Sequence, residues 1–333
     1  MPVLRLLSCA VTAILALSGA SLHAAEPEAQ CAALGKLAWP AADLPSPAQQ
    51  SALKSCDAAA LYYGIRQPRD FIQARHCAMT PSGKDDVFGK NAGVLMMLYA
   101  NGQGVGRNLQ LAKKAACEAG GAPAELSGRL VHLAAMGPGK SAAGQTIDFC
   151  EDVTSGMMMG YCASLSAAQG DLKREKELAA IAARFNPEAR AAFVRLLSSL
   201  SRFAAARGGN EVDISGTARG ALVVEEENAQ KDAFLAALKA FESGALPRFS
   251  ATQDSAIDRE LNTVYQQLRR LPPSQYAMTK MADIQATQRI WLAYRDAWVE
   301  FGRLRYPTVP AHAWRAYFTR QRTAMLKELH ALL

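Results

Sequence analysis

The stretch Ile284 to Phe301, IQATQRIWLAYRDAWVEF, constrains the fold of this chain more than any other. Ile284, Trp291 and Trp298 recur every seven residues, and Tyr294 and Phe301 form a second series between them. Two interleaved seven-residue series draw a single apolar stripe along a helix. A stripe with two Trp, a Tyr and a Phe must be buried against partner helices. Gln288, Arg289, Arg295 and Asp296 flank it, polar groups close enough to the aromatic seam to need hydrogen-bond partners.

The chain has 333 residues, half of them apolar, which is enough for a real core and about two domains. Residues 1–25 read as a secretory signal: Arg5 at the charged start, an apolar run from Leu6 to Leu17, then small residues ending near Ala20 or Ala24–Ala25. The apolar run is too short for a permanent membrane anchor, and no later run is longer, so a soluble, exported protein is expected, periplasmic or secreted. Cys9 precedes the apolar run, so lipidation there is not expected.

Six cysteines follow the signal: Cys31, Cys56, Cys77, Cys117, Cys150 and Cys162. An even number in an exported chain reads as a disulfide set. All lie before residue 163, which marks an N-terminal region that needs cross-links and a C-terminal region that does not. Charge divides the chain in the same way. Residues 251–333 hold 12 Lys and Arg against 7 Asp and Glu, most of the chain's net charge of +7. That excess fits an acidic partner or a solvated basic face.

Taken in order, residues 26–50 are rich in Ala and Pro, with one short helix expected around Cys31–Leu37. From Gly93 to Gly120 two helical segments are hinged at Asn101-Gly102-Gln103-Gly104. Ala112, Ala115 and Ala116 let the second lie close on the first. The same grammar occurs about 38 residues earlier, with Leu61-Tyr62-Tyr63-Gly64 and Ala74 in the matching places. A third pair is expected at about 122–136 and 146–168. Cys77 and Cys117 each end a second helix and could meet, although fifteen pairings are possible. Residues 171–250 continue helical, with Asn186-Pro187 as a cap and first turn. Gly208-Gly209-Asn210 is a break between segments, and the polar run Asn210 to Thr217 reads as a turn and helix start. Gly244–Ser250 is the expected linker. Three helices follow: one started by a Ser255/Asp258 capping box and ended by Pro272-Pro273, the aromatic one, and one from about Ala311.

Patterns that could carry chemistry are few. Ala134 to Ser141, AAMGPGKS, satisfies a relaxed phosphate-loop pattern, but it follows a helical run where a phosphate cradle needs a strand. The glycines of Gly102 to Gly106 are explained by the hairpin turn. His76, His132, His312 and His330 have no ligand spacing to one another or to Cys, and no serine sits in a nucleophile elbow. No enzyme activity, cofactor, metal or nucleic-acid partner is expected.

Two resemblances follow from these residues. The hairpin grammar of residues 52–120 resembles the Sel-one-like repeats, short relatives of the TPR, and implies a solenoid of stacked helix pairs. Over about 254–330, Asp258, Leu261-Asn262-x-x-Tyr265, Leu268, Gln288-Arg289-x-Trp291-x-x-Tyr294-Arg295-Asp296, Thr319, Arg322 and Leu329 resemble the LprI-type lysozyme-inhibitor domain. The family usually carries cysteines near these helices, where this chain has Val299 and Trp314. That resemblance implies a small exported helical domain that binds and inhibits lysozyme. It leaves two roles open for Asn262, Arg295, Asp296, Thr319 and Arg322: an internal network that fixes helix packing, or direct contact with a partner. The expected architecture is all-α, with a signal (1–25), a disulfide-linked helical-repeat region (26–170), a helical middle (171–250) and a three-helix module (251–333). The expected role is an exported envelope binding protein with a protein partner such as a muramidase. The alternative is a scaffold whose repeats hold envelope partners and whose basic module contacts an anionic glycan or lipid.

Overall fold

A computed structural model describes residues 22–80, 89–137, 146–276 and 278–333. Most of the signal segment, Cys9, and the Gly-Lys-Ser part of the phosphate-loop pattern lie outside the described residues. The described residues form helices and no strand, as the 3.6-residue periodicities require. The chain divides into two compact units: Met1–Tyr62 with Asp70–Asp152, and Tyr63–Arg69 with Val153–Leu333.

The first unit contains α1 (Leu22–Gly35), α2 (Pro47–Ala52), α3 (Ala58–Tyr63), α4 (Phe71–Met79), α5 (Lys90–Asn101), α6 (Leu109–Ala119) and α7 (Pro123–Ala135). Its centre is α5, buried without a break from Gly93 to Ala100. The hairpin expected at 93–120 forms. Gly102 caps α5 in the left-handed region (φ +66°), and the Asn108 side chain accepts from the Gln110 and Leu111 amides to start α6. Gly104 is also left-handed, and a Cβ there would lie 2.7 Å from that of Phe71. Ala112, Ala115 and Ala116 are fully buried, so α6 lies close on α5.

Several expectations are corrected here. The disulfides pair Cys31 with Cys117 and Cys56 with Cys77, not Cys77 with Cys117. The reason is that α5 lies between α4 and α6, while α1 packs on α6 and brings Cys31 to Cys117. Cys150 and Cys162 are disulfide-bonded as well. The first helix runs over 22–35 rather than 31–37. No helix occupies 146–155; the next one starts at Gly156.

The second unit is built from α8 (Gly156–Ala182), α9 (Pro187–Asn210), α10 (Arg219–Glu242), α11 (Ala251–Arg270), α12 (Met281–Arg305) and α13 (Ala311–Leu332). Asn186 caps α9 by accepting from the Ala189 amide at 2.8 Å, with Pro187 in the first turn. Gly208 and Gly209 do not break α9, which runs on to Asn210. The capping box of α11 is Ser250 with Gln253, one turn before the Ser255/Asp258 pair.

The aromatic stripe of α12 is buried as its spacing demands: Ile284, Trp291, Tyr294, Trp298 and Phe301 are each at most 7% exposed. Each such ring removed from water contributes about 1.5–3 kcal/mol. The partners of the stripe come largely from outside the three C-terminal helices. Helix α12 packs chiefly on α9 and secondarily on α13, while α11 packs on α13 and α10 on α8 and α9. Phe203 of α9 stacks on Tyr294 at 5.1 Å, and Phe234 and Phe241 of α10 close on Trp298 at 5.0 and 5.6 Å. From α13, Phe318 stacks on Trp298 at 4.8 Å. The last three helices therefore do not close a core among themselves; α9 and α10 complete it. Trp314, where the family resemblance leads one to expect a cysteine, is fully buried over Gly302, whose missing side chain admits the indole.

Candidate functional site

Helix α13 carries Trp314, Phe318, Arg322 and Leu326 at four-residue intervals, all at most 2% exposed. Arg322 is thus carried into the core by the periodicity of its own helix, and a buried guanidinium requires a counter-charge there. The counter-charge is Glu211, the cap residue that follows the last residue of α9. Its Oε1 accepts from Arg322 Nη2 at 2.6 Å and its Oε2 from Arg322 Nη1 at 2.8 Å, with both side chains fully buried. Arg322 Nε donates to Gln288 Oε1 on α12 at 2.9 Å.

The network continues through α9 to α10. Arg207, one turn before Glu211, donates from Nη1 to Glu211 Oε2 at 2.6 Å and from Nε to Glu226 Oε1 at 2.8 Å. Gln230 donates to the same Glu226 oxygen at 2.9 Å. Burial alone would raise the Glu211 pKa, but Arg322 and then Arg207 outweigh it and hold the carboxyl below its ordinary range. For Arg207, burial favours the neutral form, and Glu211 and Glu226 reverse that and raise its pKa. A second tie of the same kind joins α10 to α12, where Glu242 accepts both Arg305 Nε and Nη2 at 2.9 Å and the Tyr306 hydroxyl at 2.7 Å.

Next to the network a cleft of about 420 Å³ opens among α9, α10, α12 and α13. Phe234, Trp291, Tyr294 and Phe318 lie along it, and Arg207 and Glu226 stand at its wall. A second groove, about 500 Å³, runs between α11 and α13 past Phe249, Ile257, Arg320 and Lys327.

The sequence-derived candidates separate into two groups. Trp291, Tyr294, Thr319 and Arg322 are buried, and Tyr265 and Gln288 are half-buried; of these, Gln288 and Arg322 belong to the network. The others do not gather around it. Asn262 is exposed and donates to Asp258 on its own helix at 3.1 Å. Arg295 lies with its guanidinium 5.2 Å from the centre of the Trp291 ring and donates to the exposed Asp296 at 2.9 Å. Arg289 is exposed. The five polar residues considered as one internal network therefore do not form one. Arg322 is in the core network, the Thr319 carbonyl accepts from Thr323, and Asn262, Arg295 and Asp296 make local contacts on helix surfaces.

Sequence reasoning missed Arg207, Glu211 and Glu226. Two signals pointed to them: an arginine on the apolar stripe of α13 with no carboxylate partner in its own module, and the four-residue spacing of Arg207 and Glu211. Among the described residues no group of three His, Cys, Asp or Glu could hold a metal ion. No described helix is long and apolar enough to cross a membrane.

Residues 247–326 match the family model described as Lysozyme inhibitor LprI, 80 of the 333 residues. No curated protein and no solved structure matches the chain. The matched segment coincides with α11, α12 and most of α13, so the resemblance read from Leu261-Asn262, the Gln288–Asp296 run and Arg322 holds at the level of the family, a family of inhibitors rather than of catalysts. The Sel-one-like resemblance of residues 52–120 gains no support from these comparisons.

Proposed function

We propose that this protein is an exported, non-enzymatic binding protein of the cell envelope, and that its matched segment recognises a lysozyme-type muramidase. The family match names the class of target. Two paired sets of cysteines in the first unit, and the signal-like residues 1–25, suit an oxidising compartment outside the cytoplasm.

The observation that carries the reading is the outward stripe of α12. Gln285, Arg289, Leu292, Asp296 and Arg303 are all exposed and fall at helical spacing on one side. Arg289 and Asp296 belong to the residues that define the resemblance, yet neither stabilises the core. Leu292 between them, 37% exposed, is an apolar anchor within a basic surround. Such a stripe suits the carboxylate-lined cleft that glycoside hydrolysis requires, whatever the net charge of the muramidase around it.

The test is the rate of cell-wall lysis by muramidases of acidic and basic isoelectric point, with and without the purified protein. Slowed lysis, relieved by Arg289→Glu or Leu292→Asp at unchanged thermal stability, is expected. Failure to slow any of them, or equal inhibition by both variants, overturns the reading.

A further inference from the structure

We infer that the cleft among α9, α10, α12 and α13 is a binding site for a small neutral sugar, a function independent of the outward stripe of α12. Its volume of about 420 Å³ falls in the range of small-molecule sites, roughly 300–1,000 Å³. The chemistry of its walls selects the ligand. Arg207 is 9% exposed, and its Nη2, unlike Nε and Nη1, has no hydrogen-bond partner among the described residues. Glu226 accepts two hydrogen bonds on Oε1 and none on Oε2 from the described residues. The cleft thus offers a charged donor and a charged acceptor side by side, each able to bind a hydroxyl or amide.

Charge excludes the ionic alternatives. An anion approaching Arg207 would meet Glu226 and, at the rim, the exposed Glu328. A cation approaching Glu226 would meet Arg207 and Arg322. Either would add an uncompensated charge to a network whose charges already neutralise one another. A neutral molecule that both donates and accepts meets neither penalty. Ala229, Ala233, Ala324 and the half-buried Met325 supply apolar area for the C–H face of a ring, over a floor of buried aromatic rings, and Gln230 and Gln321 add amide donors and acceptors. At the mouth, Ala229, Ala233 and Ala324 are exposed and small, which leaves the cleft open.

The inference is tested by saturation-transfer NMR on the full chain with D-glucose and N-acetyl-D-glucosamine as neutral probes and D-glucuronate and D-glucosamine as charged ones. Transfer to the ring protons of at least one neutral sugar and not to the charged pair is expected. Ala233→Trp and Ala229→Phe, which fill the mouth without touching the network, should abolish it with an unchanged circular dichroism spectrum. Glu226→Gln keeps the shape and an accepting oxygen but removes the charge, and should weaken the neutral probe by about tenfold at most, the difference between a charge-assisted and a neutral hydrogen bond. No transfer to either neutral sugar, stronger transfer to a charged one, or transfer that survives in both mouth-filling variants overturns the inference.

Discussion

Arg322 and Glu211, 111 residues apart in sequence, meet in a two-pronged ion pair that excludes solvent from both side chains. The pair joins the last helix to the end of α9, so the segment that resembles an inhibitor domain is anchored to a helix outside it. This relationship governs how the second unit responds to mutation, acid and truncation.

Removing one partner strands a buried charge. Arg322→Ala is expected to cost about 3–5 kcal/mol of unfolding free energy, as broken buried ion pairs do. Glu211→Gln should cost a similar amount, since it leaves two arginines without their shared carboxylate. Because the residues touch, the double variant should lose clearly less than the sum of the singles. Urea unfolding followed by tryptophan fluorescence in a Trp39→Phe background measures this, as the other three tryptophans, Trp291, Trp298 and Trp314, all lie in the second unit.

Acid acts on the same group. The carboxyls of Glu211 and Glu242 have pKa values below the ordinary value of about 4.5, held there against burial by Arg322 and Arg207 and by Arg305 with Tyr306. A depressed folded-state pKa gives stability that is present above the unfolded value and lost as pH falls through the folded one. The urea midpoint should therefore be level near neutrality and drop once the pH falls below about 4.5. Glu211→Gln should flatten that drop, and a midpoint that rises in acid would contradict the assignment.

Gly302 faces Trp314 so closely that a Cβ would lie 2.5 Å from the indole Cε2. Helix propensity favours alanine over glycine by up to about 1 kcal/mol. Overpacking against a fully buried ring costs about 1–3 kcal/mol, so the clash should prevail. Gly302→Ala is expected to lower the melting temperature and change the near-ultraviolet circular dichroism of the tryptophans.

Opening the disulfides should weaken the first unit to different extents. The Cys31–Cys117 bridge spans 86 residues and Cys56–Cys77 spans 21. Loop-closure entropy puts their contributions at about 4–5 and about 3 kcal/mol. Cysteine-to-serine variants should show that order in limited proteolysis of the first unit, with the tryptophan signal of the second unit unchanged.

The helices themselves were legible in the sequence where periodicity was strong. The stripe of α12, the Asn186-Pro187 start of α9 and the glycine hinge between α5 and α6 all follow from local rules of spacing and capping. What could not be read was anything set by a distant partner. Cys117 pairs with Cys31 because α1 docks on α6, and no local pattern encodes that docking. Gly208 and Gly209 looked like a break, yet α9 continues through them; a Cβ on Gly208 would lie 2.9 Å from the Val223 carbonyl, so that glycine admits α10. The signature polars were legible as a set but not in their division. Arg322 shares a stripe with Trp314 and Phe318 and is therefore buried, whereas Arg289 and Asp296 lie off the Trp291 stripe and face water.

The most direct test of recognition by the matched segment is a hydrogen–deuterium exchange footprint of the full chain with and without a muramidase that it slows. Added protection over residues 285–303 of α12, absent for Arg289→Glu, is the expected result. Protection confined to residues outside 247–326, or none at all despite inhibition, would contradict it.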